Sequence, residues 1–458
     1  MSLFAGGTPC WAPDGPAARG GVDVPSLVHG RLGADVVVVG AGLVGLSTAY
    51  HLAERRPSLD IAVVDAERPA AGASGRGTGL LGPRVGPPVD QAARRHGPAA
   101  ARRMHQASVE AVRHAVDLCA RLGVPCADGE QIVAARSRTG LASLARQAAA
   151  YRALNLDVPV LSAADIRQRV DVPYQAGLLH RHTATLDPAA LTAALARACA
   201  AKGVRLYGGS PLREVRGGEG GEAGEGRMPE LVFPHGTVRA PQAVLAVNAG
   251  VAGLGVPVGT VLGVEVHAVA TGPLDPEARA LLGAGGGPAV IDAVPLAPFF
   301  SLTEDGRLVV GGGTALLPDG AAPRRIAVLR TFAWNRLEQW LRTLHPALAG
   351  VEITHRWAGR IGVTADGLPV VGPVRGRAGV WYAGGCNGHG LAMSVAHGAY
   401  LSAALLGAAD TPEPLPWHRS RAPRLPVSGV TRPVLRACLA WTDRTARRAT
   451  WPELGPRR

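Results

Sequence analysis

Across 458 residues the chain is 47% hydrophobic and only 18% charged, which excludes a disordered protein and leaves ample length for one large or two modest cores. Six scattered cysteines (Cys10, Cys119, Cys126, Cys199, Cys386 and Cys438) form no CxxC pair and no metal-ligand spacing. No disulfide framework or metal site is expected, and a reduced, cytoplasmic protein is the default. The net charge of +13 is not a nucleic-acid footprint: ten arginines against two acids lie between Arg419 and Arg458, the other 418 residues hold 38 basic and 33 acidic residues, and no motif with interleaved aromatics suggests a nucleic-acid partner.

Residues 1–33 are rich in Gly and Pro, show no period, and read as an arm around the body. They lack the basic-then-apolar layout of a signal peptide, and nowhere do eighteen apolar residues run without Arg, Pro or Gly clusters, so no transmembrane segment is expected. Asp35 to Val39 is a short apolar run of β-branched residues, the pattern of a buried parallel strand. It enters a glycine turn, then Leu46–Leu52 at helical spacing, then a second apolar strand, Ile61–Val64, ending at Asp65. Helical spacing follows over 92–122 and 141–155, and Asp187-Pro188 opens a helix to Ala201. Strands are read at 204–207, 212–215 and 243–247, with a mobile Gly/Glu loop at 217–226. Short strands alternate with turns over 260–313 in the manner of an antiparallel sheet. A helix spans about 326–344, and strand, Gly-rich turn and helix return at 379–406. The fold class is α/β: a Rossmann-like nucleotide-binding domain interrupted by an insertion that builds an antiparallel sheet.

Gly40-x-Gly42-x-x-Gly45 carries the chemistry of the first unit. The first glycine permits a tight turn, the second a close approach of pyrophosphate to the backbone, and the third close helix–strand packing, with the helix N-terminus facing the phosphates. Twenty residues after Gly45, Asp65 is placed to bond ribose hydroxyls. A bare GxGxxG is a weak signal; the strand before it and the helix after it make this one a dinucleotide site. An NAD domain would continue with parallel α/β units. Instead a second small-residue run follows, Gly72-Ala-Ser-Gly-Arg76, and near the C-terminus comes Trp381-Tyr-Ala-Gly-Gly-Cys-Asn-Gly-His-Gly-Leu391. Two Gly-rich loops around one large planar cofactor point to a flavin.

With these motifs in hand, the sequence resembles the FAD-dependent D-amino-acid oxidase superfamily over roughly residues 30–410. The carrying segments are Asp35–Asp65, Gly72–Arg76, Trp357-Ala-Gly-Arg-Ile-Gly-Val-Thr-Ala-Asp-Gly-Leu-Pro-Val-Val-Gly372 and Gly384–Leu391. The Gly-Ala-Ser-Gly-Arg run, the arm and the basic extension look most like the γ-glutamylputrescine oxidase branch. The resemblance implies an FAD-binding domain from 34–90, 185–255 and 346–410, a substrate domain with a helical insertion from 91–184 and 256–345, and a C-terminal extension at 411–458. It implies FAD contacts at Gly40, Gly42, Gly45, Asp65, Ala66, Ser74, Gly75, Arg76, Thr78, Gly79, Leu212, Asn248, Gly385, Gly388, His389, Gly390 and Leu391. Gly359 stands where some relatives carry an attaching cysteine, and no histidine lies within 72–82, so FAD is expected to be noncovalent. The implied activity is oxidation of a C–N bond of an amine or amino acid to an imine, with O2 as acceptor; a dehydrogenase passing electrons to a quinone or carrier is the alternative.

The candidate catalytic residues are His389 and Arg360. His389 lies at the flavin face in this reading, or else satisfies backbone groups at a helix start. Arg360 stands one residue before the position where related oxidases hold a substrate carboxylate; that position is Ile361 here. Because a strand inverts side chains at every residue, Arg360 either turns away or reaches the pocket through a slip. The substrate is then an amine without an α-carboxylate, or one held by another residue such as Arg84. Phe299 and Phe300 wall the pocket or pack the core. Cys386 reads as a packing residue. Residues 431–448 form a basic helix that packs on the body or meets a membrane or an acidic partner.

Overall fold

The Val36–Val39 run is valine throughout because both of its faces are covered. Val36 and Val38 join one apolar cluster, with Leu46, Leu52, Val395 and Leu401; Val37 and Val39 join another, with Leu231, Phe233 and Val238. This computed structural model describes residues 6–11, 27–218, 228–283, 287–294, 296–318 and 323–425. In chain order its elements begin with β1 (Gly30–Gly33), β2 (Val36–Val39), α1 (Leu43–Arg55), β3 (Ile61–Val64), β4 (Leu80–Leu81), α2 (Val89–His96) and α3 (Pro98–Leu122). Then come β5 (Cys126–Ala135), α4 (Arg138–Ala153), β6 (Val160–Ser162), α5 (Ala163–Arg167), β7 (Ala176–Leu186) and α6 (Pro188–Ala201). β8 (Arg205–Tyr207), β9 (Glu214–Arg216), β10 (Glu230–Phe233), β11 (Gly236–Arg239), β12 (Gln242–Leu245) and β13 (Leu262–Pro273) follow. The last are α7 (Pro276–Leu281), β14 (Ala289–Asp292), β15 (Phe299–Leu302), β16 (Arg307–Leu316), α8 (Pro323–Arg342), β17 (Ile353–Val363), β18 (Val370–Pro373), β19 (Val380–Gly384) and α9 (Gly390–Leu405).

Six strands form a sheet in the order β18-β19-β12-β2-β3-β8, parallel except for β18. Helices α1, α6 and α9 contribute to the cluster on one face, and a four-stranded sheet, β1-β11-β10-β9, covers the other. A nine-stranded sheet runs β17-β13-β16-β15-β14-β5-β7-β4, with β6 on β7; every pair is antiparallel except β14 with β5. The α/β class and the antiparallel sheet are thus as expected from sequence.

Three details differ from the sequence reading. The single helix over 92–122 is two, α2 and α3, because Gly97 sits at φ +84 and Pro98 opens the second. The strand at 212–215 begins at Glu214. The antiparallel sheet extends beyond 260–313 to take in β17, β5 and β7. The arm is fastened where it is described: the Ala358 amide donates to Gly6 O at 2.6 Å, and β1 pairs with β11. After α9, Trp417 is buried and the Arg419 guanidinium holds Asp366 and the carbonyls of Leu368 and Pro369. The expected basic helix at 431–448 and most of the Gly/Glu loop lie outside the described residues. No helix among the described residues is long and apolar enough to cross a membrane.

The seating of α1 on β2 depends on Gly45. A β-carbon there would collide with Gly40 O and lie 3.1 Å from Val38 Cγ1. Gly45→Ala should cost about 1–3 kcal/mol, the range for an overpacked core site. The check is the thermal midpoint of the purified variant; an unchanged midpoint would show that α1 is free to lift off the strand.

Candidate active site

Gly40 has φ +111, and a β-carbon on it would stand 2.6 Å from Ala246 O, so the turn out of β2 admits only glycine. α1 has Gly42 as its N-cap and no side chain of its own over its first amides. Ser74 reaches across instead: Leu43 N–H donates to Ser74 Oγ at 2.9 Å. Asp65, at the end of β3, accepts from the Ala41 amide at 2.6 Å and the Glu67 amide at 2.8 Å. Burial raises its carboxyl above the usual range while these two amides pull it back. Asp65 therefore holds the glycine turn itself; each oxygen keeps a further lone pair for a ribose hydroxyl. Ala66 is half-buried beside it. Ser210 N–H donates to Asp65 O and Gly209 N–H to Glu67 O, bringing the segment that leads to half-buried Leu212 alongside.

The Gly72–Arg76 run is a single 3-10 turn, Ala73–Arg76, in which a β-carbon on Gly75 would strike Ala70 O. Arg76 binds main chain on both sides: Nε donates to Ala358 O and Nη2 to Gly7 O, each at 2.6 Å. Trp357 Nε1 returns a bond to Arg76 O at 3.0 Å. Thr78 is half-buried, and Gly79 closes against Leu186 across a backbone bond of 3.0 Å. This run therefore joins the nucleotide sheet to β17 of the large sheet.

The second glycine loop, between β19 and α9, turns through Gly385, Asn387 and Gly388, all with positive φ. Asn248, itself at φ +48, accepts from Gly385 N–H on its Oδ1 at 3.0 Å, and its carbonyl accepts from the Tyr382 hydroxyl at 2.9 Å. Asn387 N–H donates to Gly362 O at 3.0 Å, and its Oδ1 accepts from Thr364 N–H at 2.9 Å. The loop is thus locked to the end of β17. Thr364 and Asn387 were missed as site residues from sequence, although both lie inside the quoted motifs. His389 is the N-cap of α9, which has no side-chain cap, and Gly390 and Leu391 begin its first turn. His389 Nδ1 is buried with no hydrogen-bond partner among the described residues. Burial first, then the charge of Arg84, hold this imidazole well below its usual range, so it is neutral. Burial pushes the Cys386 thiol up to about 11, consistent with a packing role.

The register of β17 on β13 separates Arg360 from Ile361. Arg360 lies opposite Glu265, and its guanidinium covers Gly263, where a β-carbon would stand 2.7 Å from Cζ. On that strand Glu265 pairs with Arg330 of α8 at 2.6 and 2.7 Å and with His267; burial opposes its charge, but these partners hold the carboxyl down to about 2. Ile361 is on the other face, and its Cδ1 lies 3.5 Å from where a β-carbon of Gly388 would be. Ile361, not Arg360, is therefore brought to the second glycine loop. Gly359 faces Arg76 Cβ. Phe300 is fully buried, its ring 6.2 Å from that of Trp340, and Phe299 is half-buried over Gly311. Among the described residues no group of three or more His, Cys, Asp or Glu is placed to hold a metal ion.

Two helix N-termini whose own N-cap residues supply no side-chain cap, two glycine turns and an imidazole nitrogen without a hydrogen-bond partner among the described residues fit a dinucleotide that ends in a flavin ring. Residues 35–404 match the family described as FAD dependent oxidoreductase, and the chain belongs to it. The probable oxidoreductase OrdL of Rhizobium meliloti is 28% identical over 379 residues, covering 80% of this chain and 82% of that protein. The gamma-glutamylputrescine oxidoreductase of Escherichia coli is 29% identical over 396 residues, covering 82% and 84%. The crystal structure of glycine oxidase from Geobacillus kaustophilus shares the fold at a TM-score of 0.68 and 20% identity, over 85% of this chain and 99% of that one. This chain is an FAD-dependent oxidoreductase.

Asp65→Ala removes the tie to Ala41 and the carboxylate expected to accept from the ribose. FAD affinity should fall by about 1–3 kcal/mol, the range for a charge-assisted bond, with flavin lost on dilution while the fraction still loaded turns over normally. Fluorescence of released FAD reads this directly, and an unchanged affinity would remove Asp65 from the binding site.

Proposed function

We propose that this chain oxidises the C–N bond of a small amine or amino acid to an imine and passes the electrons to O2. The observation that carries this reading is the meeting of the second glycine loop with β17: Gly388 stands beside Ile361 and Asn387 bonds Gly362 and Thr364, where the sheet that carries the glycine loops touches the large sheet. The relatives named above, a gamma-glutamylputrescine oxidoreductase and a glycine oxidase, support the substrate class.

FAD when bound supplies a two-electron acceptor for a hydride equivalent from the carbon next to nitrogen. The chain supplies the setting. The N-terminus of α9 favours negative charge near its first amides. Neutral His389 offers a hydrogen bond without adding charge. Ile361 presents an apolar wall where a guanidinium would otherwise grip an α-carboxylate. Arg360, on the opposite strand face with Glu265, acts as a positioning residue for β13 and β17. The overall reaction balances as amine plus O2 plus water giving a carbonyl compound, the released amine or ammonia, and H2O2.

With a competent substrate, H2O2 should form in a one-to-one ratio with O2 consumed, and turnover should rise with pH as the substrate ammonium loses its proton, since only the neutral amine has a lone pair to support hydride loss. Arg360→Ala should change amine turnover little. If electrons leave only to a quinone or carrier and O2 is not consumed, the acceptor is wrong. Rapid oxidation of glycine or sarcosine that disappears in Arg360→Ala would return Arg360 to the substrate site.

A further inference from the structure

β17 is an edge strand of the nine-stranded sheet, so its outer N–H and C=O groups face away from β13. At Ala358 both groups are taken. Its N–H donates to Gly6 O and its carbonyl accepts from Arg76 Nε, each at 2.6 Å. Gly7 makes an antiparallel bridge with Trp357, and its own carbonyl accepts from Arg76 Nη2 at 2.6 Å. The arm and Arg76 therefore close the same point of the sheet edge.

The arm then passes onto the face of the sheet opposite α8. There Cys10 and Trp11 pack with Ala268, Ala270, Val309 and Trp357, while the alternate residues Val269 and Val310 belong to the cluster that holds Trp340 of α8. Along this face of β17, alternate positions meet three neighbours in order. Trp357 meets the arm, Gly359 the Arg76 side chain, and Ile361 the second glycine loop. Trp11 also reaches the nucleotide side directly. Its Nε1 donates to Gly77 O at 2.8 Å, and its ring lies 3.1 Å from where a β-carbon of Gly79 would stand. The turn held in this way, Ala73–Arg76, is the one whose Ser74 Oγ accepts the Leu43 amide at the N-terminus of α1.

Arg76 makes the arm matter. Its guanidinium is drawn away from water, and among the described residues its hydrogen-bond acceptors are the carbonyls of Ala358 and Gly7. A guanidinium satisfied by main chain needs both acceptors in place, and one of the two belongs to the arm. Lifting the arm removes the Arg76–Gly7 bond and the Trp11–Gly77 bond together, and the turn loses its support on the side away from α1.

We propose that Gly6–Trp11 is a strap that sets the 73–77 turn for FAD, with Gly7 and Trp11 as positioning residues that act on the cofactor through Arg76 and Ser74. This holds whichever substrate the enzyme oxidises.

The test uses the full chain in variants that release the strap at two different points. Gly7→Ala forces it off β17, because Gly7 stands at φ +75 and a β-carbon there would strike Arg356 O. Trp11→Phe keeps the ring and removes the donor to Gly77. The apoprotein of each is titrated with FAD while quenching of free-flavin fluorescence is followed, and the visible circular dichroism of the bound flavin is recorded. Each single change should weaken FAD binding by about threefold to thirtyfold, the loss of one or two hydrogen bonds, and should alter the flavin dichroism. Trp11→Ala should weaken binding more than Trp11→Phe. The loss in the Gly7→Ala, Trp11→Phe double variant should fall short of the product of the two single losses, since a strap released at one end has little left to hold at the other. A strap that only supports the fold would lower the thermal midpoint of the apoprotein and leave FAD affinity and flavin dichroism of the folded protein unchanged; that result overturns the proposal. Losses that multiply independently overturn it as well. Should Gly7→Ala not fold, the comparison of Trp11→Phe and Trp11→Ala with the parent still decides, and an FAD affinity unchanged in Trp11→Ala refutes the strap.

Discussion

One backbone oxygen, the Gly40 carbonyl, sits where a side chain on residue 45 would have to be. That contact lets α1 begin directly beyond β2 and lie on the sheet, so that its first amides face outward and its apolar side chains meet Val36 and Val38. The rest of the nucleotide side is arranged around it. Ala246 closes on Gly40 from β12, Asp65 holds the Ala41 amide from β3, and Ser74 takes the Leu43 amide from a more distant segment. Three segments thus converge on one turn, and a carbonyl and two side chains fix its backbone.

A second convergence ties the two large sheets together. β17 hydrogen-bonds to β13 in the nine-stranded sheet, yet its last residues belong equally to the cofactor side through Asn387, Thr364 and the Asn248 side chain at the Gly385 turn. Arg76 adds main-chain bonds to β17 and the arm. The consequence for chemistry is a strict assignment of faces on β17. Alternation sends Ile361 to the glycine loop and Arg360 to the face of Glu265, over Gly263, and a one-residue slip would break the continuous register between 355 and 363.

Much of this was legible in the sequence because it rests on local patterns. Short β-branched runs marked the doubly covered strands, Asp187-Pro188 marked the start of α6, and the glycine spacing marked both cofactor loops. The class of fold and the FAD followed from those. What was not legible depends on contacts between distant segments. The spacing that points Asp65 at a ribose carries no sign that it also holds Ala41, 24 residues away. Nor does the sequence show that the Arg76 guanidinium bonds to the carbonyls of Ala358 and Gly7. Asn387 and Thr364 join across 23 residues. The helix over 92–122 was drawn unbroken because its apolar period continues through Gly97, and only the backbone turn there ends α2.

The central claim, that this fold and loop arrangement oxidise a C–N bond, is tested most directly by anaerobic mixing of the FAD-loaded protein with a panel of amines and amino acids while the visible flavin absorbance is followed. The account predicts that at least one amine or amino acid bleaches the flavin within the time of a catalytic turnover, faster as pH rises toward the substrate's ammonium pKa. Flavin that is fully bound and reducible by dithionite, yet unchanged by every amine and amino acid offered, would contradict it.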